Sequence, residues 1–237
     1  MTTTQRVSYS VQRRFIAPEP IIEEGLSRAN AVQGLTRYGD TWLSTNIERG
    51  DWADRCISLT RDENDPDIAI ITVSATRLVN GKKIRSDLTA TENLMFQGQT
   101  EAAADFLVRE IQAFAGEEGY LLLSTFAEDS LPLSIEQAAR AIPYLTNGVE
   151  QISPTSFVFD ESRPDGIWIQ GEVHLVAEGE RTRVSIAIWG IAESAGAFEA
   201  EDVFAVNATV HKRYQEGLHT LGVQARSAGA VEPPFPC

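Results

Sequence analysis

Apolar and polar residues along this chain fall into two rhythms, an alternation of period two and a stripe of period near 3.6, and these set the expected elements. Residues 7–16, VSYSVQRRFI, alternate as a strand that ends at Pro18-Glu19-Pro20. Ile21, Ile22, Leu26, Ala29 and Val32 form a stripe that predicts a short helix over 21–35. Segments 42–48 and 55–60 read as strands around Gly50-Asp51, followed by an acidic loop at 61–67. Residues 68–91 then alternate again around Asn80-Gly81, a dipeptide suited to a two-residue type I′ turn. That turn predicts a long hairpin pairing Val79 with Lys82, Arg77 with Ile84, Ala75 with Ser86 and Val73 with Leu88. Its core face would carry Ile71, Val73, Ala75, Ile84 and Leu88, and its wet face Thr72, Ser74, Thr76, Arg85, Asp87, Thr89 and Thr91.

The stretch 100–115 is the clearest helix, with Thr100 as its cap and Ala103, Phe106, Leu107, Ile111 and Phe114 facing the core. Tyr120-Leu121-Leu122-Leu123 reads as a short buried strand. A second helix is predicted over 135–146, opened by the capping-box pattern Ser134-x-x-Gln137. A second long hairpin spans 167–177 and 182–191 around Gly179-Glu180, where Gly at the first central position suits a type II′ turn. The register then pairs Leu175 with Val184, Val173 with Ile186, Gly171 with Ile188 and Ile169 with Gly190. Segment 201–216 fits either rhythm; its length and its acidic start at Glu199, Glu201 and Asp202 decide for a helix.

These elements predict an α+β fold, an antiparallel sheet built from two long β-hairpins with helices packed on one side. The expected organisation is an N-terminal half at 1–127, a C-terminal half at 128–226 and a Pro/Ala/Gly-rich tail at 227–237. The hairpins lie about a hundred residues apart, each followed by a helix, which hints at an internal duplication.

Composition narrows the function classes. The chain has 237 residues with 34 acidic against 20 basic side chains, a formal charge of −14. Such a field repels phosphate backbones, and the basic pairs Arg13-Arg14, Lys82-Lys83 and Lys212-Arg213 are short, so nucleic acid is not an expected partner. No stretch approaches the apolar length of a membrane span, and a bilayer role is not expected. The two cysteines, Cys56 and Cys237, do not make a disulfide scaffold, which favours a reducing cytoplasm. Neither a G-x-G-x-x-G nor a Walker A sequence is present, so no nucleotide cofactor is expected. The three histidines, His174, His211 and His219, lack metal-ligand spacing, and no metal site is expected.

Candidate chemistry concentrates on the non-core face of the second hairpin. One strand offers Trp168, Gln170, Glu172 and His174; the other offers Ser185, Ala187, Trp189 and Ile191, with Arg183 nearer the turn. Two indoles beside a few polar groups suit a small-molecule site, a protein interface or a second packed layer. In the ligand reading, Glu172 and His174 are the catalytic acid–base pair, while Trp168, Gln170, Arg183 and Trp189 bind. Ser185, facing His174 mid-strand, is a poor nucleophile because it lies on no turn beside an oxyanion site. The leading expectation is therefore a non-catalytic binding or assembly protein that uses a sheet face for contact with a protein partner or with itself. The alternative is a small-molecule enzyme or ligand-binding domain with a Trp/Glu/His/Arg pocket.

Overall fold

The computed structural model describes residues 4–44, 54–80, 86–162, 166–194 and 196–228. The chain divides into two compact units, Met1–Glu118 and Gly119–Cys237. Each is α+β, an antiparallel sheet with helices packed on one face.

The first unit opens with β1 (Thr4–Ile16), whose alternation leaves Val11 and Phe15 buried. Pro18 starts α1 (Glu19–Arg28), and a 3₁₀ turn follows at Asn30–Val32. Four strands come next, β2 (Thr36–Tyr38), β3 (Thr41–Ser44), β4 (Asp54–Arg61) and β5 (Ile68–Asn80). The unit closes with a long helix, α2 (Ser86–Glu117). The sheet order is β1-β5-β4-β3-β2, so the first strand lies beside the last. Ile22 and Leu26 of α1 and Leu107 and Ile111 of α2 are buried with Ile57, Ile71 and Val73 of the sheet. At Gly25 a methyl group would sit 3.1 Å from Phe114, so the glycine is what lets α1 approach α2 this closely.

The second unit repeats that order of elements. It runs β6 (Tyr120–Leu131), α3 (Ile135–Ala141), a 3₁₀ turn at Ile142–Tyr144, β7 (Val149–Ser153), β8 (Ser156–Ser162), β9 (Trp168–Glu178), β10 (Arg181–Glu193) and α4 (Ala200–Ala228). Its sheet order is β6-β10-β9-β8-β7, the same first-beside-last arrangement. Val203, Val210, Tyr214, Leu218 and Leu221 make one stripe of α4, buried against Phe157, Phe159, Ile169, Val173, Ile186 and Ile188. The two units thus share one order of elements and one strand order.

The expected second hairpin is present with its register intact: Leu175 pairs with Val184, Val173 with Ile186, Gly171 with Ile188 and Ile169 with Gly190. Gly179 has φ +67°, and Glu180 does not have positive φ, as a type II′ turn requires. The capping box at Ser134 and Gln137 is formed in both directions. Segment 201–216 is helical, as read.

The expected first hairpin is not formed: Ile68–Asn80 is a strand, but residues 86–91 do not return beside it. β5 pairs with β4 across the acidic loop, Arg61 opposite Ala69, and on its other side with β1. The loop is held by side-chain turns, Asp62 Oδ1 accepting from Asn64 N and Asp65 Oδ1 from Asp67 N. Residues 86–91, expected as the return strand, are the first turns of α2, so Ser86 and Leu88 do not pair with Ala75 and Val73. Residues 81–85, which include Gly81 of the expected turn, lie outside the described residues. Thr100 is therefore no cap; it is buried mid-helix and its hydroxyl donates to Phe96 O one turn back. Phe106, expected in the core, is exposed, while Leu107, Ile111 and Phe114 are buried. Among the described residues, no helix is long and apolar enough to cross a membrane.

Candidate functional site

In the second unit the strand registers align the non-core face of the sheet in cross-strand rows. One row reads Ser156, His174, Ser185, Glu128; the next reads Val158, Glu172, Ala187, Phe126; a third reads Asp160, Gln170, Trp189, Ser124. Trp168 lies between Ser162 and Ile191. Every residue expected at this face is there, because alternation along β9 and β10 forces all of them to one side.

The contacts within the face are specific. His174 Nε2 is 3.3 Å from Glu172 Oε2, and His174 Nδ1 is 3.2 Å from Ser156 Oγ. The serine that joins the pair is thus Ser156, at the start of β8; Ser185 instead donates to Glu128 Oε2 at 2.7 Å. Gln170 Oε1 accepts from the Trp189 indole at 3.1 Å, and Asp160 accepts from the Trp168 indole. Trp189 is 4% exposed, whereas Trp168 is 36% exposed. Arg183 Nε stands 3.2 Å from Glu178 Oε1, off the line a hydrogen bond needs. Its guanidinium is engaged toward the turn and away from the indoles. His174 is 54% exposed, so its contact with Glu172 sits in high dielectric and carries little energy.

A second polar group, not foreseen from the sequence, lies on the opposite, core-facing side. β8 alternates Phe157, Phe159, Glu161 toward α4, which places a carboxylate where the pattern calls for an apolar residue. Glu161 is only 12% exposed and accepts two bonds from Arg213, 3.0 and 3.2 Å, in a bidentate pair. Thr146, buried in the segment between the second 3₁₀ turn and β7, donates to Glu161 at 3.0 Å. Tyr214, fully buried and stacked on Phe159 at 5.6 Å between ring centroids, donates to Thr146 at 3.3 Å. A directed chain of donors therefore runs from Tyr214 through Thr146 to the Glu161 carboxylate. Burial disfavours the Arg213 charge, but the hydrogen bond and the negative charge of Glu161 outweigh it and hold the guanidinium above its ordinary value. Arg213 remains 41% exposed, so the group reaches the surface where α4 packs against the segment 144–148. Leu145 reaches the same helix at Gly217, where a methyl group would meet it at 3.1 Å. The local signal for this group is a single acid at core parity on a strand.

The remaining histidines lie on α4. His211 Nδ1 is 2.9 Å from Phe126 O; a carbonyl only accepts, so Nδ1 carries the proton. Among the described residues, no group of three or more His, Cys, Asp and Glu side chains is placed to hold a metal ion.

No protein-family model and no curated relative matches the sequence. Among solved structures the chain is similar to the di-domain ARO/CYC StfQ from the steffimycin biosynthetic pathway, at 10% identity and TM-score 0.33, over 95% of this chain and 100% of that one. It is similar to the di-domain ARO/CYC BexL from the BE-7585A biosynthetic pathway, at 10% identity and TM-score 0.31, over 90% and 96% of the two chains. It is also similar to DynU16, a putative protein in the dynemicin biosynthetic locus, at 12% identity and TM-score 0.29, over 95% and 98%. At TM-scores this low the likenesses carry no functional weight.

Proposed function

We propose that the protein binds a small molecule in its second unit, at the surface where α4 packs against the segment 144–148. The observation that supports this is Glu161, a carboxylate on the core side of the sheet, paired to Arg213 and linked through Thr146 to the buried Tyr214 hydroxyl. An apolar interior with a few converging polar groups at one end is the usual chemistry of a small-molecule site. Arg213 is the group that would meet an anionic ligand, with Glu161 competing for it; a ligand would have to part the packing of Phe159 and Tyr214 to reach aromatic surface. The fitting ligand class is a flat apolar molecule with one carboxylate.

The test is calorimetric titration with 2-naphthoate. Arg213→Met should weaken binding by about tenfold or more, since it removes the only partner for the carboxylate in this reading. Glu161→Gln should strengthen binding, because it removes the competing anion. A purely structural ion pair predicts no binding, or binding indifferent to both changes.

The Trp face supports a second reading, contact with a protein partner or another copy of the chain. Its support is the cluster of partly exposed apolar groups on one sheet face, Trp168, Phe126 and Val176, among hydrogen-bonded polar side chains. Glu172 and His174 would be the acid–base pair only if this face, and not the Arg213 site on α4, took the ligand. In that case His174→Ala would remove binding or turnover and Arg213→Met would not.

A further inference from the structure

Among the described residues, β6 is an edge strand whose one strand neighbour is β10. An edge of this length presents N–H and C=O groups to any strand that arrives, and proteins normally blunt such edges. Here the outward groups meet side chains of α4. Asn207 Nδ2 donates to Leu122 O at 3.1 Å, and Asn207 Oδ1 accepts from Ser124 N at 3.1 Å. His211 Nδ1 donates to Phe126 O at 2.9 Å. Gln215 Oε1 accepts from Glu128 N at 3.3 Å, and Gln215 Nε2 donates to Glu128 O at 3.0 Å.

The spacing explains why a helix can do this. Asn207, His211 and Gln215 recur every fourth residue, so they share one face of α4 and advance about 6 Å per step. The outward groups of a strand recur every second residue, roughly 6.7 Å apart. The two rulers are close enough for amide and imidazole side chains to absorb the difference. Asn and Gln each present a donor beside an acceptor, as a peptide group does, so each can bond an N–H and a C=O together. The first unit uses the same helical spacing differently: Glu101 accepts from the Tyr9 hydroxyl and Asp105 from Arg13, both side chains of β1.

We propose that Asn207, His211 and Gln215 form a latch that takes the place of a further strand on β6 and closes that edge to strand addition by a second copy of the chain. It is independent of the ligand reading. The experiment compares wild type with the Asn207→Ala/Gln215→Ala double variant by amide hydrogen exchange and by sedimentation over a range of concentrations. The Ser124 and Glu128 amides should exchange at least about tenfold faster in the variant, with the Thr125 and Ala127 amides little changed. The variant should also self-associate as its concentration rises, where wild type does not. Unchanged exchange at Ser124 and Glu128 would overturn the latch itself. Faster exchange with sedimentation identical to wild type would overturn its role as a guard. If the alanine variant does not fold, Asn207→Leu/Gln215→Met keeps approximate side-chain size while removing both the amide donors and the acceptors of the Ser124 and Glu128 N–H groups, and the same two readouts decide.

Discussion

Tyr9 on β1 donates its hydroxyl to Glu101 on α2 at 2.9 Å, joining the first strand of the first unit to its long helix. Burial, then the hydrogen bond and charge of Glu101, raise the phenol above its ordinary value of 10.0. The folded protein therefore holds that proton more tightly than the unfolded chain. The stabilisation is complete below pH 10.0 and is lost as the pH rises through the folded value. Urea unfolding of wild type and Tyr9→Phe across alkaline pH should show wild type losing stability more steeply, the gap between them closing as the phenol ionises. Parallel curves would mean that Tyr9 does not titrate with folding. Cys56 follows the same rule on a smaller stage, since burial alone raises its thiol and makes it a poor nucleophile.

Among the elements, the β9–β10 hairpin shows how far alternation and turn chemistry reach. Gly179 marked the turn, and Val173, Leu175, Val184 and Ile186 marked one face, so the register followed from counting. Over Gly171 lies the Phe159 ring of the neighbouring strand, in the space a methyl group would need. Gly171→Ala should destabilise the protein by about 1–3 kcal/mol, read from chemical denaturation, because ring and strand must both shift. A variant as stable as wild type would show the ring to be displaceable. The first hairpin was harder to read for a physical reason. Residues 86–91 contain Thr89 and Thr91 in apparent alternation, yet they join a helix whose buried Ala104, Leu107, Val108 and Ile111 pack in the core. That tertiary packing overrides the local preference of a few threonines.

At the scale of the whole chain, two units with the same strand order each carry a long closing helix, and the candidate site sits in the second. The fold class was legible because it needs only the two periodicities. The Trp168–His174 face was legible because its members lie on one strand and its hairpin partner. Ser156 and Asp160, which complete that face, come from β8, and pairing between distant strands leaves no local trace. The Glu161 group was hidden for the same reason, since it joins β8, the segment after the 3₁₀ turn, and α4. The most direct test of the central claim is a nuclear magnetic resonance titration of the isotope-labelled protein with 2-naphthoate, with resonances assigned. The account predicts saturable shifts at Thr146, Glu161 and Tyr214, moved to about tenfold or more higher ligand concentration by Arg213→Met, with the Trp168 indole N–H unmoved. Shifts at the Trp168 indole and His174 with none at Tyr214 would contradict it and move the site to the opposite face of the sheet.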